Sequence, residues 1–356
     1  MNYETILQDI IQIQSYSGNE QKLAAYIKNF CKNKNVILTE HKENIIIHIN
    51  KGSNRAVLFN CHMDTVPVCD RKLWKTDPFT LEKDEKNYYG LGVSDEKIST
   101  AITLFLIDFF CEQDLDIFLL YVTNEEVDGS GSQQVTEYFE KNYSYQKTYA
   151  IICEPRDAKY LGVGNKGSLF FELTAKGKAH HASEPEHGEN AITALLKRIQ
   201  QIHDDLKTFP LEEDIFTPAT ISFPTIIQGG VAINVIPSQA IAKGDIRTTS
   251  KTHDAFVAYL KKQPDIRIIS NVPSCYQPSD NELVHAFEKQ GITQKTITNG
   301  SNDMIFHTEK GQAAVVFGAG AEKACHIVNE FCPIKNCQKT IDIYKGVCEY
   351  LSNLKD

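Results

Sequence analysis

The sequence predicts an α/β protein: a helix-covered, mixed and largely parallel sheet, with an inserted α+β two-layer sandwich. Three observations carry this. Short, almost wholly apolar runs recur at "RAVLFN" (55–60), "DIFLLYV" (116–122), "YAIIC" (149–153) and "AAVVFG" (313–318), each bounded by polar or turn residues. Strands buried on both faces of a parallel sheet read this way. In the middle of the chain "SLFFELTAKG" (168–177) alternates apolar and polar residues, as an antiparallel strand with one wet face does. Finally, 356 residues exceed what one core ordinarily holds.

Taken in order, residues 3–14 and 20–33 have the spacing of amphipathic helices. The "SGNE" between them reads as a capping box, with Ser17 as N-cap and Glu20 three residues on. "NIIIHI" (44–49) and "RAVLFN" are strands. Beyond "SDEK", Ile98–Cys111 is nearly all apolar and predicts a helix buried in the core. The other apolar runs supply three further strands. After 168–177 come a helix over 191–206, strands in "TPATISFPTIIQGG" and "QAIAKGDIRTT", and a helix near 254–262. That is the strand–helix–strand–strand–helix–strand order of a small sandwich. A last helix at about 335–354 returns to the first style. The expected division is residues 1–165 with 278–356 as one domain and 166–277 as the inserted one.

Composition narrows the partners. With 42% hydrophobic and 23% charged residues the chain is ordinary for a globular protein. A net charge of −9 argues against nucleic acid and anionic membranes. No apolar run approaches the ~20 residues that span a bilayer, and "MNYETILQDIIQIQ" has the pattern of neither a secretory signal nor a transit peptide. A cytoplasmic location is expected. The ten cysteines include no C-x-x-C pair, and Cys332 with Cys337 is the closest spacing. They read as scattered reduced thiols.

The chemistry sits at the strand ends. His62 and Asp64 follow "AVLFNC", Glu125 and Glu126 follow "DIFLLYVTN", Glu154 follows "YAIIC", and His326 follows "AAVVFGAG" at a distance. The turn "GLGVSD" delivers Asp95 to the start of the apolar helix. Ligands of open α/β sheets bind beyond the carboxyl ends of the strands, so these residues are expected to share a crevice. Singly, each has a plain structural reading: a hydrogen-bonded turn, a solvated acidic loop, a helix cap. Together they would gather costly unpaired charge. Imidazole and carboxylate suit zinc or cobalt, with zinc the default for hydrolysis. Two ions sharing one carboxylate would clamp a water between them at a separation of roughly 3.5–4 Å.

The strings "CHMDTVP", "YGLGVSDEK", "TNEE", "CEP", "GKAHHASEPEHGENAI", "GGVAINVIPSQAIAKGDIR" and "GAGAEKACHIVNE" occur in that order over nearly the whole chain. Together they resemble the dinuclear zinc aminoacylase and exopeptidase family that includes acetylornithine deacetylase, succinyl-diaminopimelate desuccinylase and glutamate carboxypeptidase. The resemblance implies a zinc-exopeptidase-like catalytic domain whose inserted domain pairs two subunits and closes over substrate. It implies two Zn2+ ions, which Co2+ could replace. His62 with Glu154 would hold one, His326 with Glu126 the other, and Asp95 would bridge them. Asp64 would orient His62, and Glu125 would be the general base. It further implies that His181 stabilises the tetrahedral oxyanion from the partner subunit, with His180 the competing candidate. Asn234 and Arg247 would hold a substrate carboxylate, and "GSND" (Gly300, Ser301 onward) would line the pocket. The chain departs from the family's usual Asp-Met-Lys-Gly at Asp95-Glu96-Lys97-Ile98, and the family's pattern implies a cis peptide before Glu96. That departure removes no ligand.

The implied reaction is hydrolysis of an N-acyl amino acid, with N-acetylornithine deacetylation in arginine biosynthesis first, from "DTVP" and "GLG". "GSNDM" and "HIVNE" pull toward succinyl-diaminopimelate or N-acetyl-lysine. A dipeptidase or carboxypeptidase comes next, and a non-catalytic binding protein last, because no ligand is eroded. Cys61, Cys153 and Cys325 each precede a candidate ligand; strand alternation turns the first two away, and none is expected to bind metal.

Overall fold

The computed structural model describes residues 2–209 and 215–354. They divide into two compact units. One comprises the chain up to Gly164, Tyr276–Thr296 and the chain from Asn302; the other comprises Asn165–Cys275 and Ile297–Ser301.

The first unit is organised around a nine-stranded mixed sheet among the described residues. Its order is Ile37–His41, Asn44–Ile49, Asp116–Val122, Arg55–His62, Lys147–Ile152, Ala313–Val316, Leu161–Asn165 and Cys275–Tyr276, with Lys295–Thr298 also paired to Leu161–Asn165. The four central strands run parallel. Asn44–Ile49 lies antiparallel to Asp116–Val122. Every residue of Arg55–His62 and of Asp116–Val122 is buried, which explains their unbroken apolar character. Parallel strands end on one side, so the segments after His62, Val122, Ile152 and Val316 leave from the same edge.

Helix Lys97–Phe105 packs on Arg55–His62 and on helix Tyr3–Ile11. The Phe59 ring stacks on Phe110 with centroids 5.0 Å apart and meets Tyr344 of helix Ile334–Ser352 edge-on. Two expectations change. The apolar helix is not continuous: it stops at Phe105 and resumes as the short turn Ile107–Phe110, with the Leu106 amide bonded back to Ile102. The second helix starts at Gln21 with Glu20 at its cap position, and no side chain caps it. Gly18 at φ +82° breaks the helical path that a cap at Ser17 needs.

The second unit is a four-stranded antiparallel sheet in the order Thr220–Gly229, Gln239–Thr248, Gly167–Lys176, Ile266–Val272. Leu169, Phe171, Leu173, Ala242 and Ile246 form its core with Leu195, Ile199 and Ile202 of helix Ala191–Leu206 and Phe256 of helix His253–Lys261. Asn190 caps the longer helix, accepting from the amides of Ile192 and Thr193. Away from that core Glu172 pairs with Lys243 and Arg267. No helix among the described residues is long and apolar enough to cross a membrane.

Candidate metal centre

The parallel strands deliver acids and imidazoles to one place. His62 is the last residue of its strand and is buried. Its Nδ1 lies 2.9 Å from the Asp64 carbonyl oxygen. With Nδ1 donating there, Nε2 is the nitrogen left to face a ligand on the other side; against burial, hydrogen bonds to Asp64 and Asp95 raise the ring well above the usual imidazole range. That Nε2 lies 2.9 Å from Asp95 Oδ1 and 3.8 Å from Glu154 Oε1. The second Asp95 oxygen lies 3.3 Å from His326 Nε2, which is also 3.0 Å from Glu126 Oε1. Donor atoms of His62, Glu125 and Glu154 fall within 4.8 Å of one another, as do those of His62, Asp95 and Glu126.

Local structure explains the delivery. Asn124 adopts φ +59°, a left-handed conformation that Asn tolerates well. Its carbonyl accepts from the amides of Asp128 and Gly129, turning the chain so that Glu125 and Glu126 stand at the bend. The Asp95–Glu96 peptide is cis. Asp64 is the hub behind the histidine. Its carboxylate accepts from Ser17 Oγ at 2.7 Å and from the amides of Glu125 and Glu126 at 3.1 and 3.2 Å. Burial works against the Asp64 charge, but His62, Ser17 and the Glu126 amide outweigh it and hold the carboxyl below its usual range.

The "SGNE" motif therefore serves this site. Ser17 donates to the ionised Asp64, a stronger acceptor for its hydroxyl than a neutral partner, and Glu20 Oε1 accepts from the amides of Gly18 and Asn124. Asp303 is a further buried acid given no role by sequence reasoning. Its Oδ2 accepts from Ser132 Oγ at 2.5 Å and Asn60 Nδ2 at 3.1 Å, while burial pushes its carboxyl up to about 6. Only its place in "GSNDM" marked the segment.

The donor set fits cations. Burial, with the Asp95 charge adding to it, pushes Glu154 up to about 8. Burial and the charges of Glu154 and Asp303 raise Glu125 well above the carboxylate range. Hydrogen bonds to Asp95 and Glu126 hold the His326 imidazolium up at about 10. Both oxygens of the buried Glu96 lack a hydrogen-bond partner among the described residues. So much negative charge around two imidazoles is costly without compensating positive charge. Cys61 Sγ lies 3.8 Å from Thr103 Oγ1, and the Cys153 thiol meets the Ile151 carbonyl; the Cys325 thiol meets the Ala321 carbonyl and also faces the Asp95 carboxylate.

The remaining candidates belong to the second unit. His181 is exposed, and its Nδ1 accepts from the Ser183 amide at 3.2 Å, which leaves the proton of a neutral ring on Nε2. His180 Nε2 is engaged by Glu184 at 3.0 Å. The Asn234 carbonyl accepts from the Ala182 amide, beside His181. Arg247 pairs with Asp245 at 2.9 Å and lies over the Phe170 ring. Gly300 is open: an added Cβ would meet nothing within 4 Å. Ser301 follows it, half-buried.

A helix-flanked, largely parallel sheet with imidazoles and carboxylates converging beyond its strand ends could hold metal ions there. Residues 58–350 match the model of peptidase family M20/M25/M40, and the chain belongs to that family. It is 25% identical over 392 residues to a probable succinyl-diaminopimelate desuccinylase of Staphylococcus epidermidis, covering 96% of each chain. Its fold is similar to that of an M20 family metallo-carboxypeptidase from Sulfolobus solfataricus, with TM-score 0.80, 20% identity and coverage of 99% and 100%. It is also similar to a dinuclear metal-binding peptidase from Bacillus subtilis, with TM-score 0.69, 16% identity and coverage of 99% and 98%.

Proposed function

We propose that the chain is a two-zinc amidohydrolase that removes the acyl group from a small N-acyl amino acid, with N-acetylornithine the first substrate to test. One observation carries the reading: the two Asp95 oxygens face two different imidazoles, His62 at 2.9 Å and His326 at 3.3 Å. Glu154 stands beside the first and Glu126 beside the second. His62 and Glu154 would hold one ion, His326 and Glu126 the other, and Asp95 both. When bound, such ions polarise the amide carbonyl and acidify a water.

The chain's own residues would do the rest. Asp64 keeps His62 and the backbone of Glu125 and Glu126 in register. Glu125 takes the proton from the attacking water and returns it to the leaving amine. His181, exposed and held through Nδ1 by Ser183, donates from Nε2 to the oxyanion. Asn234 and the fork of Arg247 take the substrate carboxylate, and Gly300 and Ser301 line the pocket. In this reading His181 acts in the partner subunit of a homodimer. Support comes from the second unit's own surface, where Val231 and Ile233 are 91% and 102% exposed beside the edge strand Thr220–Gly229. A cytoplasmic setting belongs to the same reading, since thiols such as the buried Cys61 and Cys348 stay reduced there.

A second reading comes from the relatives' names: the substrate is succinyl-diaminopimelate or a peptide with a free carboxylate. The test is a hydrolysis screen of the zinc-loaded and cobalt-loaded protein over acetylornithine, succinyl-diaminopimelate, acetyl-lysine and simple dipeptides. Turnover of one of them, abolished by chelation and restored by zinc, supports the reaction class. No hydrolysis of any of them would sink it.

A further inference from the structure

We infer that Glu330 is the positioning residue that holds the bridging Asp95 in place and ties its loop to the loop of His326. Glu330 is buried, at 2% exposure, and lies four residues after His326 in "HIVNE". Its carboxylate accepts three backbone amides of one turn. Oε2 takes Gly92 at 2.8 Å, while Oε1 takes Ser94 at 2.7 Å and Asp95 itself at 3.0 Å. Its own carbonyl accepts from the Gly90 amide at 3.3 Å.

Convergent amides of this kind form a nest for an anion, and here the anion is a side chain of the protein. Gly92 sits at φ +79°, which leads its amide into the nest without a Cβ penalty. A second stitch runs alongside. Ser94 Oγ donates to the Ala321 carbonyl and accepts from the Ala321 amide at 2.6 Å. The nest therefore fixes the backbone of Asp95 at the point where its side chain spans two imidazoles. It also fixes the segment that brings one of those imidazoles.

The inference rests on the two-metal reading and adds a specific signature. Because Asp95 faces both imidazoles, loosening it weakens both metals together. Glu330→Gln is nearly isosteric, but it replaces one acceptor oxygen with an NH2 group that faces a backbone N–H. The experiment titrates the metal-free protein with cobalt(II), following the absorption of the bound ion against a competing chelator. Wild type is expected to bind two equivalents. Glu330→Gln is expected to lose about 10–100-fold in affinity at both, with the far-ultraviolet circular dichroism retained. Leu351→Ala, a core change in helix Ile334–Ser352 away from the nest, serves as a control with a lowered Tm. Should Glu330→Gln not fold, Glu330→Asp keeps the charge, shortens the reach, and is read in the same way. Wild-type affinity in the Glu330 variant, or an equal loss in the Leu351 control, overturns the inference. Wild type binding no cobalt overturns the two-metal reading with it.

Discussion

Asp64→Asn isolates what the hub carboxylate does. Asp64 serves Ser17 Oγ and the Glu126 amide with Oδ2, and the Glu125 amide with Oδ1. An asparagine keeps the shape and one acceptor. If its oxygen stays on the Glu125 side, its NH2 group faces the Glu126 amide; Ser17 can rotate and accept, but a backbone N–H cannot. If the amide is flipped, the Glu125 N–H is stranded instead. Either way one half-buried donor in the loop of the base and a ligand loses its partner, at a cost toward the lower end of about 1–3 kcal/mol. The His62 ring also loses the charge behind it, and outer partners of this kind change metal affinity or activity by about 10–100-fold. The assays are urea unfolding of the metal-free protein and kcat/KM of the zinc-loaded enzyme. Ser17→Ala removes one hydrogen bond from the same carboxylate and strands no backbone donor, so a smaller kinetic effect is expected. Wild-type stability and kcat/KM in Asp64→Asn, or an equal kinetic loss in Ser17→Ala, would refute the reasoning.

Further outcomes follow from the same geometry. Glu125→Gln is expected to lose at least about 100-fold in kcat while the zinc content measured by atomic emission stays at the wild-type level; full activity would reassign the base. His181→Ala is expected to lower kcat far more than His180→Ala, since His180 is already engaged by Glu184, and the reverse order would move the oxyanion role. Val231→Asp with Ile233→Asp is expected to turn a dimer into a monomer in sedimentation velocity, with a matching loss of turnover. A monomeric wild type with full activity would contradict the in-trans role. Burial pushes His307 down to about 4, so between that value and the ordinary ~6.5 the unfolded chain binds a proton that the folded chain does not. Stability therefore falls as pH drops through this window, by roughly 3 kcal/mol at most, and His307→Leu is expected to flatten that part of a Tm-against-pH curve. An unchanged curve would show that His307 is not the group responsible.

Some of this was legible in the residues because the physics is local. Arg55–His62 and Asp116–Val122 are buried along their whole length, and a strand with no wet face has to be apolar throughout. Gly167–Lys176 alternates because one of its faces meets Leu195 and Ile202 and the other does not. Strand ends carrying His62, Glu125, Glu126 and Glu154 could be read for the same reason: a polar residue that breaks such a run stands where the sheet stops.

Other features could not be read locally. "SGNE" has the spacing of a helix cap, and nothing within it says that Ser17 will find Asp64, 47 residues on. The break at Leu106 leaves no mark in an apolar stretch. Asp303 reads as a loop acid until the fold brings Asn60 and Ser132 to it, and Glu330 until the turn of Gly92 to Asp95 closes around it. By itself the sequence determined several of the buried strands and helices, because periodicity and burial act over a few neighbours; the buried strand Leu161–Asn165 and the helices Ser130–Asn142 and Glu282–Lys289 were not among them. Only the tertiary structure decided which strand lies beside which, and which buried carboxylate each amide and imidazole meets. Those pairings join residues far apart in the chain, and their energy exists only once the intervening sheet has excluded water.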